Sequence, residues 1–488
     1  MKIEHMFPNA NQMDELISGV MAVAGALGGD ASGVIKHFSQ MRAFTRLGVL
    51  NRMLAPGDLI AVPKESGISA TVTGSVTAAS VTEDTFLAKI GSSKTAAYEF
   101  IFDGAVWKLN GEAVELSVYG VTATGTPTEG DAITVHVQAN TVYFEIADFD
   151  HDVSAERGLE HVTTMISRDV LSYGTIPFSS PQALKTIAAD EFQDGIPAGS
   201  VVDIVLDHGC YNNTTDEDGT YCFTAAAAIP VGYKIRHSTI GTYLSSGYGV
   251  DHVLGGKFLI YDASGTKVAE YETSAGAGAV HLGTATAETK SYMSGAHLNA
   301  TRRNAYGSNR AAHSAIKKWL NSAAAGAGSG EVASWWTASD EFDMPVRTTL
   351  PGFLHGLDQD FVACLGRVRK RTLLHAWDRA DGGAKYEDTE ELVWQPSMTE
   401  LGYGNNDGVA ETSPDADGNL KSTKPFALYD GATDADRVKT QGGTARYWFH
   451  RSPSPSSAYN VRSSVQSGAL NVSSAYSAYG AVAGLQFI

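Results

Sequence analysis

Between Val62 and Val142 the chain is cut by glycine at positions 74, 91, 104, 111, 125 and 130, and the runs between the cuts alternate apolar with polar residues. A period of two puts successive side chains on opposite faces, which a helix cannot exploit, so this region is confined to short strands joined by turns. The expected strands are 69–76, 85–90, 98–109, 114–121 and 132–137. Their Thr- and Val-rich composition and turn spacing predict a small immunoglobulin-like β-sandwich over residues 63–142. Residues 57–62 before it and 142–147 after it read as partner strands of one sheet, so the sandwich is expected to be an insertion.

The rest of the chain sets the fold class as α+β and β-rich. With 488 residues, two or three domains are expected, since one core rarely organises so many. Strands are expected at 200–206, 219–225, 232–236 and 257–261. Helical spacing appears at 11–29, where Met13, Leu16, Ile17, Val20, Val23, Ala24 and Leu27 recur before Gly28 and Gly29. A second helix, capped by Asp30 or Ser32, carries Val34, Ile35, Phe38, Met41, Phe44 and Leu47. Two short apolar helices bury little alone. Residues 1–50 are therefore the candidate segment for oligomerisation or attachment to a larger particle. A third helix is expected from Ser308 as cap to Asn321, followed by a flexible loop at 321–330 and polar loops at 381–391 and 402–417.

Charge and cysteine content exclude several classes. A formal net charge of -18 argues against nucleic acid, which needs clustered Lys and Arg. The apolar N-terminal stretch lacks the positive flank of a signal peptide and is too short and Gly-rich to span a bilayer, so no membrane insertion is expected and synthesis is assigned to the cytoplasm. Cys210, Cys222 and Cys364 are read as free, buried thiols rather than a disulfide framework, although Cys210 and Cys222 flank a turn-rich stretch and a pairing across it stays open.

Candidate chemistry is sparse. Asp148, Asp150 and Asp152 alternate as in calcium loops, but the Gly and distal Glu of an EF-hand are missing, so a polar strand end or turn is preferred, as it is for Asp216, Glu217 and Asp218. His355 is read as a core or turn histidine. No nucleophile elbow, zinc-protease motif or phosphate-binding loop occurs. The expectation is a protein without catalytic residues, metal or cofactor, not an enzyme.

The tail differs in kind. After Lys439 there is no Lys, Asp or Glu; Arg446, Arg451 and Arg462 are its formal charges, and ten serines lie between Tyr447 and Ile488. Serine at that density does not make a core, while Tyr447, Trp448, Phe449, Tyr459, Tyr476, Tyr479 and Phe487 resist disorder. Tyrosine mixed with Ser, Asn and Gly is the composition of adaptable binding surfaces, in which Tyr supplies rigid contact area and the small polar residues supply hydrogen bonds.

These residues also carry a resemblance. Residues 447–453, 458–462, 467–470 and 475–480, with upstream 173–178, 303–310, 314–321, 352–358 and 386–391, resemble phage and prophage proteins with a C-type-lectin-like or formylglycine-generating-enzyme-like fold. That family includes variable proteins of diversity-generating retroelements similar to the major tropism determinant. The resemblance implies a C-type-lectin-like domain over 291–488, with 51–62 and 143–290 as the β-rich part of the same region. It also implies a virion location and a diversified face on segment 447–488.

Adenine mutagenesis of Asn codons implies variable positions at Phe449, His450, Ser454, Ser456, Ser457, Tyr459, Ser463, Ser464, Asn471, Ser473, Ser474, Tyr476, Ser477 and Tyr479. Arg451, Ser452, Pro453, Val461, Arg462, Gly468, Ala469, Leu470, Ala475 and Gly480 would be scaffold. The implied partners are a bacterial cell-surface protein or glycan, other virion proteins and further copies of this chain, a trimer being one arrangement. A non-variable head decoration or tail or baseplate subunit is the alternative, and a formylglycine-generating-type enzyme is the reading least supported. The triplets that hold calcium in sugar-binding lectins and paired active-site cysteines are both missing.

Overall fold

The computed structural model describes residues 37–90, 96–156, 158–206, 219–238, 255–284, 303–304, 306–380 and 382–488. The helix expected at 11–29, the caps Asp30 and Ser32, Cys210 and the acidic turn 216–218 lie outside them. Strands dominate the described residues, and the chain divides into two compact units. One comprises residues 1–167, 356–368 and 485–488, the other 168–355 and 369–484. The units cut the chain elsewhere than the expected boundaries: 143–167, expected with the lectin-like region, belongs to the first.

The first unit is organised by two long antiparallel strands, Leu59–Thr73 and Ala132–Phe149, whose register runs from Leu59 opposite Glu145 to Thr73 opposite Ala132 with a bulge between Glu65 and Gly67. The flanks expected to pair thus do so, Val62 facing Val142. Toward one end Thr163–Ser167 pairs with the second long strand, and Gly484–Phe487 and Leu365–Gly366 continue the sheet. Phe361 gathers the core there, with ring centroids 5.5 Å from Phe144, 5.4 Å from Phe487 and 5.1 Å from Phe38. Phe38 opens the helix Phe38–Arg46, which buries Met41 and Thr45 and leaves Leu47 48% exposed. Its N-cap is His37, whose N–H donates to Gln40 Oε1 at 3.2 Å, rather than Asp30 or Ser32.

At the other end of the long strands a separate core gathers Val76, Phe86, Leu87, Phe100, Leu109, Val121, Ile133, Val135 and Val137. Two expected strands are replaced here. Residues 85–90 form part of the helix Glu83–Ile90, because Phe86, Leu87 and Ile90 share a helical face and Thr82 starts the turn, its carbonyl accepting from Phe86 N at 3.0 Å. Residues 114–121 split into the end of Glu112–Val114, a 3-10 turn at Leu116–Tyr119 and a strand from Val121, separated by Gly120 in the left-handed region.

In the second unit, Val201–Leu206, Gly219–Thr224 and Lys257–Tyr261 appear as expected, and Lys234–His237 lies slightly later than expected. They close over Ile187, Ile204, Phe223, Ile235 and Phe258. Cys222 and Cys364 are free and buried. The helix expected from Ser308 begins later: Ser314 caps Ala315–Leu320, its Oγ accepting from Lys317 N at 3.1 Å, and Ala315, Ile316, Trp319 and Leu320 are buried. Of the segment expected as a polar loop at 381–391, Tyr386–Glu391 is a strand paired with Val368–Leu373. Residues 402–417 form no strand, yet Asn406, Glu411, Thr412 and Ser413 are buried. Among the described residues no helix is long and apolar enough to cross a membrane.

Candidate ligand-binding face

The tail folds as a four-stranded sheet in the order Leu470–Ser474, Asn460–Ser464, Trp448–Pro453, Gly480–Ala481, with the last pair parallel. Trp448–Pro453 is therefore flanked on both sides and buried along its whole length. Its anchor is ionic. Arg451 Nη1 donates to Glu400 and to Gln395 O, the latter at 3.0 Å, and Lys370 Nζ lies 2.7 Å from the other oxygen of the same carboxylate and 4.2 Å from the centre of the Trp394 ring. Burial works against the Arg451 charge, but Glu400 holds its protonation firmly in place. Glu411, buried beside it, accepts from Ser452 and, at 2.9 Å, from Leu373 N; burial raises its carboxyl pKa despite those donors. Arg451 and Lys370 are thus both satisfied by the one Glu400 carboxylate.

Two scaffold glycines are dictated by space. Gly468 has φ +82°, and a Cβ there would fall 1.7 Å from Asp434 O; at Gly480 it would fall 1.8 Å from Val170 Cγ1. Val461 and Ala475 are fully buried.

The fourteen expected display positions separate into two groups. Phe449, His450, Ser454, Ser463 and Ser464 are buried, which corrects their assignment to an outer face: Phe449 and His450 belong to the central strand, Ser463 and Ser464 pair with it, and Ser454 directly follows its end. Phe449 packs on Phe178 at 5.5 Å. His450 stacks on Tyr403 and meets Ser464 Oγ at 2.8 Å through Nε2; burial, with Arg462 and other cations nearby, lowers its pKa to about 3.

Ser456, Ser457, Tyr459, Asn471, Ser473, Ser474, Tyr476, Ser477 and Tyr479 all keep exposed surface, Tyr476 most among the tyrosines at 49%. They sit on two loops and an edge strand. The hairpin loop after Pro453 is tied down by Asn309, fully buried, whose Nδ2 donates to the carbonyls of Ser454, Ser457 and Asn460 at 3.2, 2.8 and 3.0 Å, and by Arg303 Nε donating to Ala458 O at 2.9 Å. The loop 475–479 is held through backbone bonds: Ser179 N to Ala475 O at 2.9 Å, Tyr476 N to Tyr306 O at 2.8 Å, Gly174 N to Ala478 O at 2.7 Å. Gly480 N closes it on Tyr447 O at 3.1 Å.

Three tyrosines complete the surface without having been among the expected display residues. Tyr306 lies 5.3 Å from Tyr459 and 5.5 Å from Tyr476, and Tyr173 and Tyr447 stack with Tyr479 at 6.4 and 4.9 Å. Tyr173 and Tyr306 each precede a glycine with positive φ, at 174 and 307, a repeated Tyr-Gly signal that marks where the chain turns under the tail.

For metal binding the geometry offers little. Asp150 accepts from Val162 N at 2.9 Å and lies 3.0 Å from His161 Nδ1, and buried Asp152 accepts from Thr164 Oγ1 at 2.8 Å, so these carboxylates serve a strand end and turn. His355 is buried in a turn, its N–H donating to Gly352 O at 3.1 Å. Among the described residues no group of three or more His, Cys, Asp or Glu side chains is placed to hold a metal ion.

Residues 288–483, less than half of the chain but including nearly all of this surface, match a family described as a domain of unknown function, DUF6273. No curated protein and no solved structure matches the chain.

Proposed function

We propose that this is a virion structural protein of a phage that recognises a bacterial surface through the preordered face carried by residues 456–479 together with Tyr173, Tyr306 and Tyr447. The observation that supports the reading most is the tyrosine trio Tyr306, Tyr459 and Tyr476 at the edge of two loops pinned from below. Rings already ordered lose little entropy on binding, and tyrosine pairs apolar area with a polar tip. Retroelement diversification, which the sequence resemblance implies, fits the nine positions with exposed surface, where substitution leaves the core untouched. At the five buried positions it does not.

The test is adsorption of assembled particles, or of the purified chain, to host cells. Tyr459→Ala and Tyr476→Ala should each weaken binding by about 1 to 4 kcal/mol, the range of an aromatic anchor, with assembly intact. Unchanged adsorption by the double variant counts against the face. Sequencing the locus tests diversification separately: absence of a reverse transcriptase with a near-copy of the 3′ end would confine the proposal to a fixed binding surface.

A second reading, a non-variable decoration, tail or baseplate subunit, is favoured by the burial of Phe449, His450, Ser463 and Ser464. Point substitutions separate the two readings better than deleting 447–488, because that deletion removes Phe487 from the Phe361 core. Under the second reading Tyr476→Ala impairs particle assembly and leaves adsorption unaltered.

A further inference from the structure

Among the described residues Arg446 has no counter-charge. Its guanidinium lies 4.7 Å from the centre of the Tyr173 ring, and its Nε is buried without a hydrogen-bond partner. No carboxylate of the described residues forms an ion pair with it. Arg451 pairs with Glu400, and Asp169, four positions before Tyr173, is held by Arg168 at 2.8 Å and by Thr440 Oγ1 at 3.2 Å. Arg446 is only half-buried, so the remainder of its guanidinium is left to an acceptor that arrives with a ligand.

The surroundings narrow the class of that ligand. Tyr173 and Tyr479 are parallel within 6°, Tyr447 and Tyr479 within 28°, and all three rings are half-buried, giving flat surfaces that suit the C–H faces of a sugar ring. Beside Tyr173, Ser172 has φ 53°, and its buried hydroxyl has no partner either. Charge is complementary in a second way: the chain carries -18 overall, yet no acid follows Asp436. The tail thus brings no carboxylate of its own to repel an anionic ligand.

We infer that Arg446, with Tyr173, Tyr447 and Tyr479, is a subsite for a carboxylate-bearing sugar, and that the ligand of the face is an acidic polysaccharide. The guanidinium, kept planar against Tyr173, pairs with the carboxylate while Tyr447 and Tyr479 take the ring face. This rests on the reading of the tail as a ligand-binding face and specifies its substrate class.

The test titrates the full chain with polygalacturonate, neutral galactan of similar length and poly-L-glutamate, followed by calorimetry. Polygalacturonate should bind, with an affinity that falls as salt rises, and neutral galactan and polyglutamate should bind at least about tenfold more weakly. Arg446→Met should weaken polygalacturonate binding by about tenfold or more, and Arg446→Lys, which keeps the charge but not the planar fork, by less. If the Met variant melts lower than the parent, the Lys variant and Tyr479→Ala are read in its place. No binding of polygalacturonate, binding indifferent to these substitutions, or equal binding of polyglutamate overturns the inference. Host-cell adsorption in the same variants separates the two levels: adsorption lost in Tyr476→Ala but without any polygalacturonate binding overturns this subsite alone, whereas adsorption untouched in all variants overturns the face as well.

Discussion

Strand Trp448–Pro453 and the loop 475–479 come from one stretch of acid-free, Ser- and aromatic-rich sequence and meet opposite fates. The strand lies between two others, is buried throughout, and fastens Arg451 to Glu400. The loop is tied by its backbone to Ser179, Tyr306 and Gly174, which buries Ala475 and leaves Tyr476 exposed. Position in the sheet order, not composition, decides which tyrosine or serine meets solvent. Aromatic content therefore marks the segment, while strand order decides which of its residues keep exposed surface.

The contrast breaks most visibly if the strand is attacked through its charge. Arg451→Met takes from buried Glu400 one of its two cations, leaving Lys370 and the Ser397 amide, and should cost about 3–5 kcal/mol, read as a drop in the urea midpoint. Phe449→Ala should cost about 3 kcal/mol or somewhat more by opening a void against Phe178 and Tyr479, and any loss of adsorption should follow the unfolded fraction.

His450 sharpens the comparison through pH. Its folded pKa is lowered from 6.5 to about 3, so the unfolded chain takes up a proton that the fold refuses. Its contribution is complete above 6.5 and is lost progressively as pH falls toward 3, a window to which His237 and His375, both lowered to about 4 chiefly by burial, also contribute. His450→Gln should flatten the stability profile across that window by up to about 1.4 kcal/mol per pH unit, and an unchanged slope in acid-titrated unfolding would show that another group sets it. Smallest on stability is Tyr476→Ala, expected within about 0.5 kcal/mol of the parent, with adsorption as the property that moves. Equal stability losses in Phe449→Ala and Tyr476→Ala would erase the distinction between strand and loop.

Where a single periodicity governs burial, the sequence was legible. The pairing of Val62 with Val142 and the strand Lys257–Tyr261 follow from alternation alone. Legibility failed where partners are distant. Residues 386–391 look like a solvated loop until Asp388 is seen 2.8 Å from Arg371, Glu387 2.6 Å from Arg310 and Glu391 3.2 Å from Lys317. Helix Glu83–Ile90 was hidden by Thr85 and Phe86, good strand residues whose cap, Thr82, is a weak local signal. In the site, Gly468 and Gly480 stood out as fixed, and Tyr459, Tyr476 and Tyr479 as display residues. Tyr306 and Asn309 went unassigned because their role comes from a fold that brings residues more than a hundred positions apart together.

The strand Gly484–Phe487 belongs to the same sheet as Thr163–Ser167, with the whole second unit threaded between them. A ribosome making this chain emits Phe144 and Phe361 well before Phe487, so the first unit waits with part of its aromatic core uncovered until the last strand emerges. Any copy cut short within residues 447–488 stays in that exposed state and is a ready target for cellular proteolysis. Frameshifts and stop codons in that stretch are thereby screened out by folding itself.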